Sequence, residues 1–271
     1  MGTPPAAPFA DVFDLTGRVA VVTGSASGIG QATARLLGHT GALVTCADLD
    51  GDGAEATAEA IRTAGGRAWS ARVDVSQAEQ VDDLVASAAE QTGRLDILCN
   101  VAGVMHDGTV LETAVADFDR VMAINFKGTL FACRAAARIM TRQRSGSIVN
   151  MSSAIVDMPA ANTLSYAVSK SAIITLTQTL AIEVAGSGVR VNAVSPGFIY
   201  TGITQRHFVR PDGSVDERGR DETVARMAAR APLGRIGESM DVAYSVLFLA
   251  SEASSFMTGQ VLKPNGGYAI H

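Results

Sequence analysis

The sequence predicts a single α/β domain built on a doubly wound parallel sheet, with helices on both faces. Short apolar runs of strand type alternate with segments of helical periodicity over most of the 271 residues. The connections between successive strands leave room only for helical crossovers, which join parallel strands. No linker and no internal repeat interrupts the alternation. We therefore expect one domain over residues 16–271, preceded by a loosely ordered, Pro- and Ala-rich tail over residues 1–15.

Each strand is predicted from a short apolar run bounded by turn residues, as is typical of buried parallel strands. Each helix is predicted from apolar residues at helical spacing, and Gly41 and the Gly65–Gly66 pair mark two helix ends. The predicted strands cover 18–24, 42–48, 67–75, 95–103, 146–153, 189–197 and about 260–263. The predicted helices cover 29–41, 53–66, 77–93, about 117–142, a stretch around Tyr166 to about Val184, and about 240–249.

One segment, residues 202–238, breaks this alternation. It is rich in Arg, Asp and Glu and contains several Gly and Pro residues. Long polar insertions in a compact domain are usually functional loops or disordered. We expect residues 202–228 to form a mobile substrate lid, and the alternative is a fixed surface excursion with no catalytic part.

Composition excludes several classes of function. A net charge of −5 without a basic stripe argues against nucleic acid or an anionic membrane as a partner. No apolar run reaches the length of a membrane span, and the N-terminus lacks the pattern of a secretory signal, so we expect a cytoplasmic protein. The three cysteines lie in apolar stretches and are interpreted as buried thiols. The four histidines have no metal-ligand spacing, so no metal site is expected.

The first predicted strand is followed by TGSASGIG, which places Gly24, Gly28 and Gly30 at the start of a helix. Such a Rossmann-like turn lets the backbone approach a pyrophosphate, which then lies at the helix N-terminus. Asp48 follows at the end of the second strand, where an acid binds the adenosine ribose and repels a 2′-phosphate. The sequence therefore favours NAD over NADP, with Asp50 left open as the alternative acid.

The later motifs, together with TGSASGIG, resemble the classical short-chain dehydrogenase/reductase family from about residue 16 onward. They are VDV at 73–75, NVAG at 100–103, Asn125 in INFKG, Ser153 in IVNMSS, YAVSK at 166–170 and PGFIYT at 196–201. The resemblance implies a catalytic set and a cofactor-binding set. The catalytic set is Asn125, Ser153, Tyr166 and Lys170. The cofactor-binding set is Gly24, Ser27, Gly28, Ile29, Gly30, Asp48, Asp74, Val75, Asn100, Gly103, Tyr166, Lys170, Ile199 and Thr201.

Tyr166 and Lys170 make chemical sense as a pair because residues four apart share one face of a helix. A free phenol has a pKa of about 10, and a nearby cation favours the phenolate. Lys170 would thus tune Tyr166 into an acid/base near neutral pH. Ser153 would hold the substrate oxygen, and by resemblance the Asn125 carbonyl helps to hold a water in a proton relay.

The predicted function is an NAD-dependent alcohol dehydrogenase or ketoreductase that interconverts a secondary alcohol and its ketone. The alternatives are a 3-oxoacyl-carrier-protein reductase using NADPH and a catalytically silent dinucleotide-binding protein. The helix that carries Tyr166 is apolar on more than one face, so we expect a homo-oligomer, in particular a homotetramer. The alternative is that the 117–142 helix of the same chain covers the second face.

Overall fold

The computed structural model describes residues 11–205, 208–210 and 214–270. The strands are β1 Val19–Thr23, β2 Leu43–Asp48, β3 Arg67–Arg72, β4 Ile97–Asn100, β5 Gly146–Met151, β6 Val189–Val194 and β7 Val261–Leu262. The helices are α1 Gly28–His39, α2 Gly51–Thr63, α3 Ala78–Glu90, α4 Val115–Val121, α5 Gly128–Gln143, α6 Leu164–Val184, α7 Gly202–Gln205, α8 Glu217–Arg230 and α9 Ser239–Ala250.

The seven strands form one parallel sheet in the order β3-β2-β1-β4-β5-β6-β7. One face is covered by α1, α2 and α9, which bury Leu37, Ile61 and Val246. The other is covered by α3, α5 and α6, with Leu84 and Met140 in its core. This confirms the predicted doubly wound, Rossmann-like α/β fold. The strand order reverses between β1 and β4, and such a switch point opens a ligand crevice at the carboxyl ends of the strands.

The long helix predicted over 117–142 is not one regular α-helix. A π-helical turn, Met122–Lys127, separates α4 from α5. Such turns are rare, and they occur frequently at functional sites. Asn125 lies in this turn and is fully buried.

The two segments expected to be loose are only partly described. Residues 1–10 of the predicted tail, and residues 206–207 and 211–213 of the predicted lid, lie outside the described residues. Leu15 is buried, and its N–H donates to the Thr40 carbonyl at 2.8 Å, so the packed chain begins slightly before residue 16. Among the described residues of the predicted lid, Phe208 is buried, whereas no residue of α8 is buried. The described part of the segment is thus held to the domain by one buried apolar side chain.

Helix α6 carries apolar residues on more than one face. Ile173 and Ala181 are buried, whereas Ile182 is 83% exposed in the single chain. Helix α5 and the π turn contact α6. Part of the surface of α6 is therefore covered by the 117–142 segment of the same chain, which is the alternative to a subunit contact. Among the helices that the structure describes, none is long and apolar enough to cross a membrane.

Candidate active site

A cleft of about 980 Å³ lies at the carboxyl ends of the strands. Ser153, Tyr166 and Lys170 line it, as do the glycine turn after β1 and Asp48 at the end of β2. A second groove, of about 1040 Å³, runs along the outer face of α1 past Arg35. It contains none of the three predicted catalytic side chains that line the first cleft, so the first cleft is the candidate active site.

The turn after β1 is tight enough to require glycine. Gly24 has a φ of +72°, and a Cβ on it would lie 2.7 Å from the Ala102 Cα. A Cβ on Gly30 would overlap the Gly24 carbonyl oxygen. Ser27 precedes α1 in an extended conformation and makes no side-chain cap, so the first N–H groups of α1 are left for a ligand. The turn therefore fits the pyrophosphate of a dinucleotide.

The carboxylate of Asp48 is held at the edge of the cleft by two backbone donors. The Ala26 N–H donates to it at 2.9 Å and the Asp50 N–H at 3.0 Å. Asp50 instead accepts a hydrogen bond from the Gly53 N–H at 3.0 Å and caps α2. Asp48 lines the cleft and Asp50 does not, so the geometry favours Asp48 of the two candidate acids.

Arg72 is a cation near Asp48 that no local sequence pattern indicates. It is the register partner of Asp48 on β3, and its side chain lies against Gly51 without lining the cleft. Only the pairing of β2 with β3 could have identified this neighbouring cation.

Asp74, Val75 and Asn100, three members of the predicted cofactor-binding set, differ in whether their side chains face the cleft. Asp74 and Val75 line the cleft, and the Asp74 carboxylate accepts hydrogen bonds from the Ser76 N–H and hydroxyl at 2.9 and 2.7 Å. The Asn100 side chain is buried and does not line the cleft, because its amide donates to the Asn150 side chain at 2.9 Å. Any contribution of Asn100 to the cofactor would therefore come from its backbone.

Lys170 is the most deeply buried charged residue among the described residues that line the cleft. Its side chain is buried, with the residue 3% exposed, and its Nζ donates to the Met151 carbonyl at 2.8 Å. Nζ lies 5.6 Å from the centroid of the Tyr166 ring, which confirms that the two side chains share one face of α6. Burial lowers the pKa of Lys170 from 10.5 to about 8 because desolvation disfavours the ammonium.

Gly103 allows this arrangement. A Cβ at this position would lie 3.4 Å from the Lys170 Nζ and 3.3 Å from the Asn125 Oδ1, so a larger side chain would crowd both groups. The Asn125 amide donates to the Val104 carbonyl at 2.9 Å and to the Ser169 hydroxyl at 3.0 Å. The π turn thereby fixes the loop after β4 against α6.

The carbonyl of Asn125, to which the resemblance assigns a water, accepts a hydrogen bond from the Thr129 hydroxyl at 2.7 Å. A carbonyl oxygen has two lone pairs, so this bond leaves acceptor capacity for a second donor. The relay role of Asn125 stays a prediction.

Ser153 follows β5 and begins a short 3-10 turn, Ala154–Val156. Its hydroxyl accepts a weak hydrogen bond from the Ile155 N–H at 3.3 Å, and it lines the cleft with Tyr166. Two further members of the predicted cofactor-binding set follow β6. Ile199 is buried in the wall of the cleft, and the Thr201 side chain lies over Gly28, where a Cβ added to Gly28 would be 3.4 Å from it. The chain after β6 thus reaches the glycine turn and narrows the cleft.

The remaining candidate ligands do not form a metal centre in the structure as described. All three cysteines are buried free thiols, and burial raises the pKa of each to about 12. No group of three or more His, Cys, Asp or Glu side chains gathers among the described residues.

Comparisons with known proteins identify the family of this chain. A family model described as enoyl-(acyl carrier protein) reductase matches residues 24–269. The chain is 42% identical to cis-4-hydroxycyclohexanecarboxylate dehydrogenase of Sinomonas cyclohexanicum, over 93% of this chain and 96% of that protein. It is 36% identical to 3-oxoacyl-(acyl-carrier-protein) reductase FabG of Thermotoga maritima, over 94% and 99%.

Solved structures give the same result. A short-chain type dehydrogenase/reductase from Mycobacterium marinum superimposes with a TM-score of 0.87 at 32% identity, covering 96% of this chain and 98% of that chain. The fold, the family model and relatives of nearly equal length all indicate the same family. The chain belongs to the short-chain dehydrogenase/reductase family of oxidoreductases, which bind a nicotinamide dinucleotide.

Proposed function

We propose that this protein is an NAD-dependent dehydrogenase that interconverts a secondary alcohol and its ketone. The observation that carries the proposal is the buried Lys170 ammonium beside Tyr166, in a cleft that Ser153 and the glycine turn also line. With a pKa of about 8, Lys170 is about nine-tenths protonated at pH 7, so its positive charge is available to favour the phenolate of Tyr166.

The residues then have distinct roles. Ser153 donates a hydrogen bond to the substrate oxygen and orients it toward Tyr166. In the oxidising direction, Tyr166 takes the hydroxyl proton as the carbinol carbon loses a hydride, and the product is a ketone. A bound nicotinamide dinucleotide supplies the hydride acceptor in this direction and the hydride donor in the other. The Asn125 carbonyl helps to hold a water in the relay that takes the proton from Tyr166 past Lys170 toward solvent.

Asp48 supports NAD as the cofactor. Its carboxylate lies at the cleft edge, where a 2′-phosphate would meet a like charge. Arg72 is the neighbouring cation that could weaken this preference, but its side chain lies against Gly51. The cofactor preference therefore rests on Asp48.

A second candidate is a 3-oxoacyl-carrier-protein reductase that uses NADPH. The similarity to the Thermotoga FabG favours it, whereas Asp48 speaks against it. The similarity to a dehydrogenase of a hydroxycyclohexane carboxylate favours the first candidate instead. A silent dinucleotide-binding protein is the third candidate, and the presence of Ser153, Tyr166 and Lys170 together argues against it.

One assay separates the three candidates. The purified protein is given NAD or NADP with a panel of cyclic and linear secondary alcohols, and NADH or NADPH with their ketones and with a 3-oxoacyl thioester. Turnover of alcohols with a higher kcat/KM for NAD is expected. Preference for the thioester with NADPH would favour the reductase, and dinucleotide binding without any turnover would favour the silent protein.

The same proposal includes a cytoplasmic homotetramer. The buried free cysteines suit a reducing compartment. The exposed Ile182 on α6, together with the exposed Phe256 after α9, leaves apolar surface for contacts between subunits.

A further inference from the structure

Helix α8 carries arginines of two kinds. Arg218 bonds to Glu222 at 2.8 Å, and Arg220 bonds to Asp221 at 2.9 Å. Arg226 and Arg230, one helical turn apart, line the cleft instead, and neither pairs with a carboxylate within the part of the chain that the structure describes. The cleft side of α8 therefore presents two guanidinium groups that form no ion pair with an acid of the same helix.

These arginines lie at the substrate end of the cleft. The Gly197 N–H, just after β6, donates to the Pro264 carbonyl at 3.2 Å, so the chain after β7 lies beside the end of β6. Tyr268, on that same chain, stacks with the Arg230 guanidinium, whose Cζ is 4.7 Å from the ring centroid. Ser153 follows the neighbouring strand β5, whereas Asp48 ends β2, three strand positions away from β5.

Three strand spacings amount to about 14 Å. Arg230 is thus placed at the end of the cleft that holds Ser153, remote from the position expected for the adenosine ribose. A guanidinium here is suited to a group on the substrate and not to a 2′-phosphate.

The surroundings of the two arginines describe the substrate. Ile155 and Met158 follow Ser153, Phe198 follows β6, and all three line the cleft, where they fit an apolar carbon skeleton. A guanidinium stacked on an aromatic ring keeps its planar edge of N–H donors for a carboxylate, which it can bind in a bidentate manner. Asp107 also lines the cleft, but it already has a partner.

We propose that the substrate is a small hydroxy carboxylate, or the corresponding oxo carboxylate, whose carboxylate is bound by Arg230 with support from Arg226. The proposal rests on the dehydrogenase function proposed above and names its substrate class. The hydroxyl end lies at Ser153 and Tyr166, the apolar body crosses the cleft, and the carboxylate lies beneath α8.

The test measures binding without turnover. The enzyme saturated with NADH is titrated calorimetrically with cyclohexanecarboxylate and, separately, with the isosteric cyclohexanecarboxamide. We expect the carboxylate to bind about 10-fold or more tightly than the amide, since charge-assisted hydrogen bonds are the stronger kind. Arg230→Gln should bring this ratio close to one, and Arg230→Lys should leave an intermediate ratio.

Arg218→Gln is the matched control because it removes one positive charge from the same helix outside the cleft. It should preserve the ratio. Equal affinities in the wild type, an unchanged ratio in Arg230→Gln, or an equal loss in Arg218→Gln would each overturn the proposal. Since α8 buries none of its residues, these substitutions are compatible with folding.

A parallel turnover panel keeps the two proposals separate. Hydroxy carboxylates and their carboxamides are compared as substrates with NAD. Turnover of amides and acids at similar kcat/KM would overturn the carboxylate assignment and leave the dehydrogenase standing. Turnover of no alcohol at all would refute the dehydrogenase, whatever the titrations give. Preference for a thioester on an acidic carrier protein, weakened equally by Arg218→Gln and Arg230→Gln, would instead assign the arginines to protein docking and overturn the carboxylate site.

Discussion

Desolvation of the Lys170 ammonium should lower the free energy of unfolding at neutral pH, and raising the pH should recover the loss. Its pKa falls from 10.5 to about 8 because the ammonium is desolvated. Below pH 8 the amine is protonated in both the folded and the unfolded chain, so the whole penalty is present. Between pH 8 and 10.5 the unfolded chain binds the proton and the folded chain does not, so stability rises with pH. Above pH 10.5 the penalty vanishes.

The magnitude follows from the size of the shift. At pH 7 the penalty is roughly 3 kcal/mol, because each pKa unit corresponds to about 1.4 kcal/mol and the lysine is mostly protonated in both states. Raising the pH from 7 to 9.5 should recover about 2 kcal/mol of this. That is a sizeable part of the unfolding free energy of an ordinary domain.

The assay is urea unfolding of a matched pair of chains at pH 7 and pH 9.5 without cofactor. Both chains carry Tyr166→Phe, because a phenolate beside Lys170 would hold the ammonium charged. One chain keeps Lys170 and the other has Lys170→Met, which is similar in length and cannot titrate. All other titrating groups contribute equally to the two chains at a given pH, and the loss of the donor to the Met151 carbonyl contributes equally at both pH values, so both cancel in the difference between the chains.

The chain with Lys170 should gain about 2 kcal/mol relative to its partner between the two pH values, at equal protein concentration. A relative gain under about 0.5 kcal/mol, or a relative loss, would refute the reasoning, since it would mean that burial does not lower the pKa of Lys170. The result would also remove the physical basis for a lysine with a pKa close to neutral in the proton relay.

Four further outcomes are expected. Tyr166→Phe should keep the fold and NAD binding but lower kcat by at least about 10²-fold, the usual scale for a general acid/base; near-normal kcat would contradict its assignment. Asp48→Ser should narrow the ratio of kcat/KM for NAD to that for NADP, and an equal or better use of NADP by the wild type would contradict the role of Asp48. Light scattering at micromolar concentration should give a multiple of the 28.0 kDa chain, with a single-chain mass as the opposing result. Hydrogen exchange across residues 202–228 should slow when NAD and substrate bind, and uniformly slow exchange in both states would make the segment fixed structure.

Local patterns in the sequence were sufficient for much of the fold and for part of the site. The alternation of apolar runs and helical periods is a property of neighbouring residues, and it predicted the doubly wound sheet. The spacing of Tyr166 and Lys170 is likewise local, because one helical turn brings them together wherever the helix lies. The glycine turn could be identified for the same reason, since Gly24 and Gly30 stand at positions where the backbone leaves no room for a Cβ.

Other features depend on contacts between residues far apart in the chain, and only the tertiary structure decided them. The sequence alone does not distinguish Asp48 from Asp50 as the candidate acid. The Ala26 N–H, 22 positions earlier, holds the Asp48 carboxylate at the cleft edge, whereas Asp50 caps α2 through the nearby Gly53 N–H. Asn100 is drawn away from the cleft by Asn150, fifty positions later.

The same holds for burial and for charge. Lys170 acquires its shifted pKa only when the end of β5 and the loop after β4 enclose it. Arg226 and Arg230 look like ordinary surface charges in an Arg-rich segment, and the sequence offers no means to tell them from Arg218. The periodicity that predicts helices and strands depends on residues adjacent in the chain. The ion-pair partner and the desolvation of a charged side chain depend instead on which distant segments the sheet brings together.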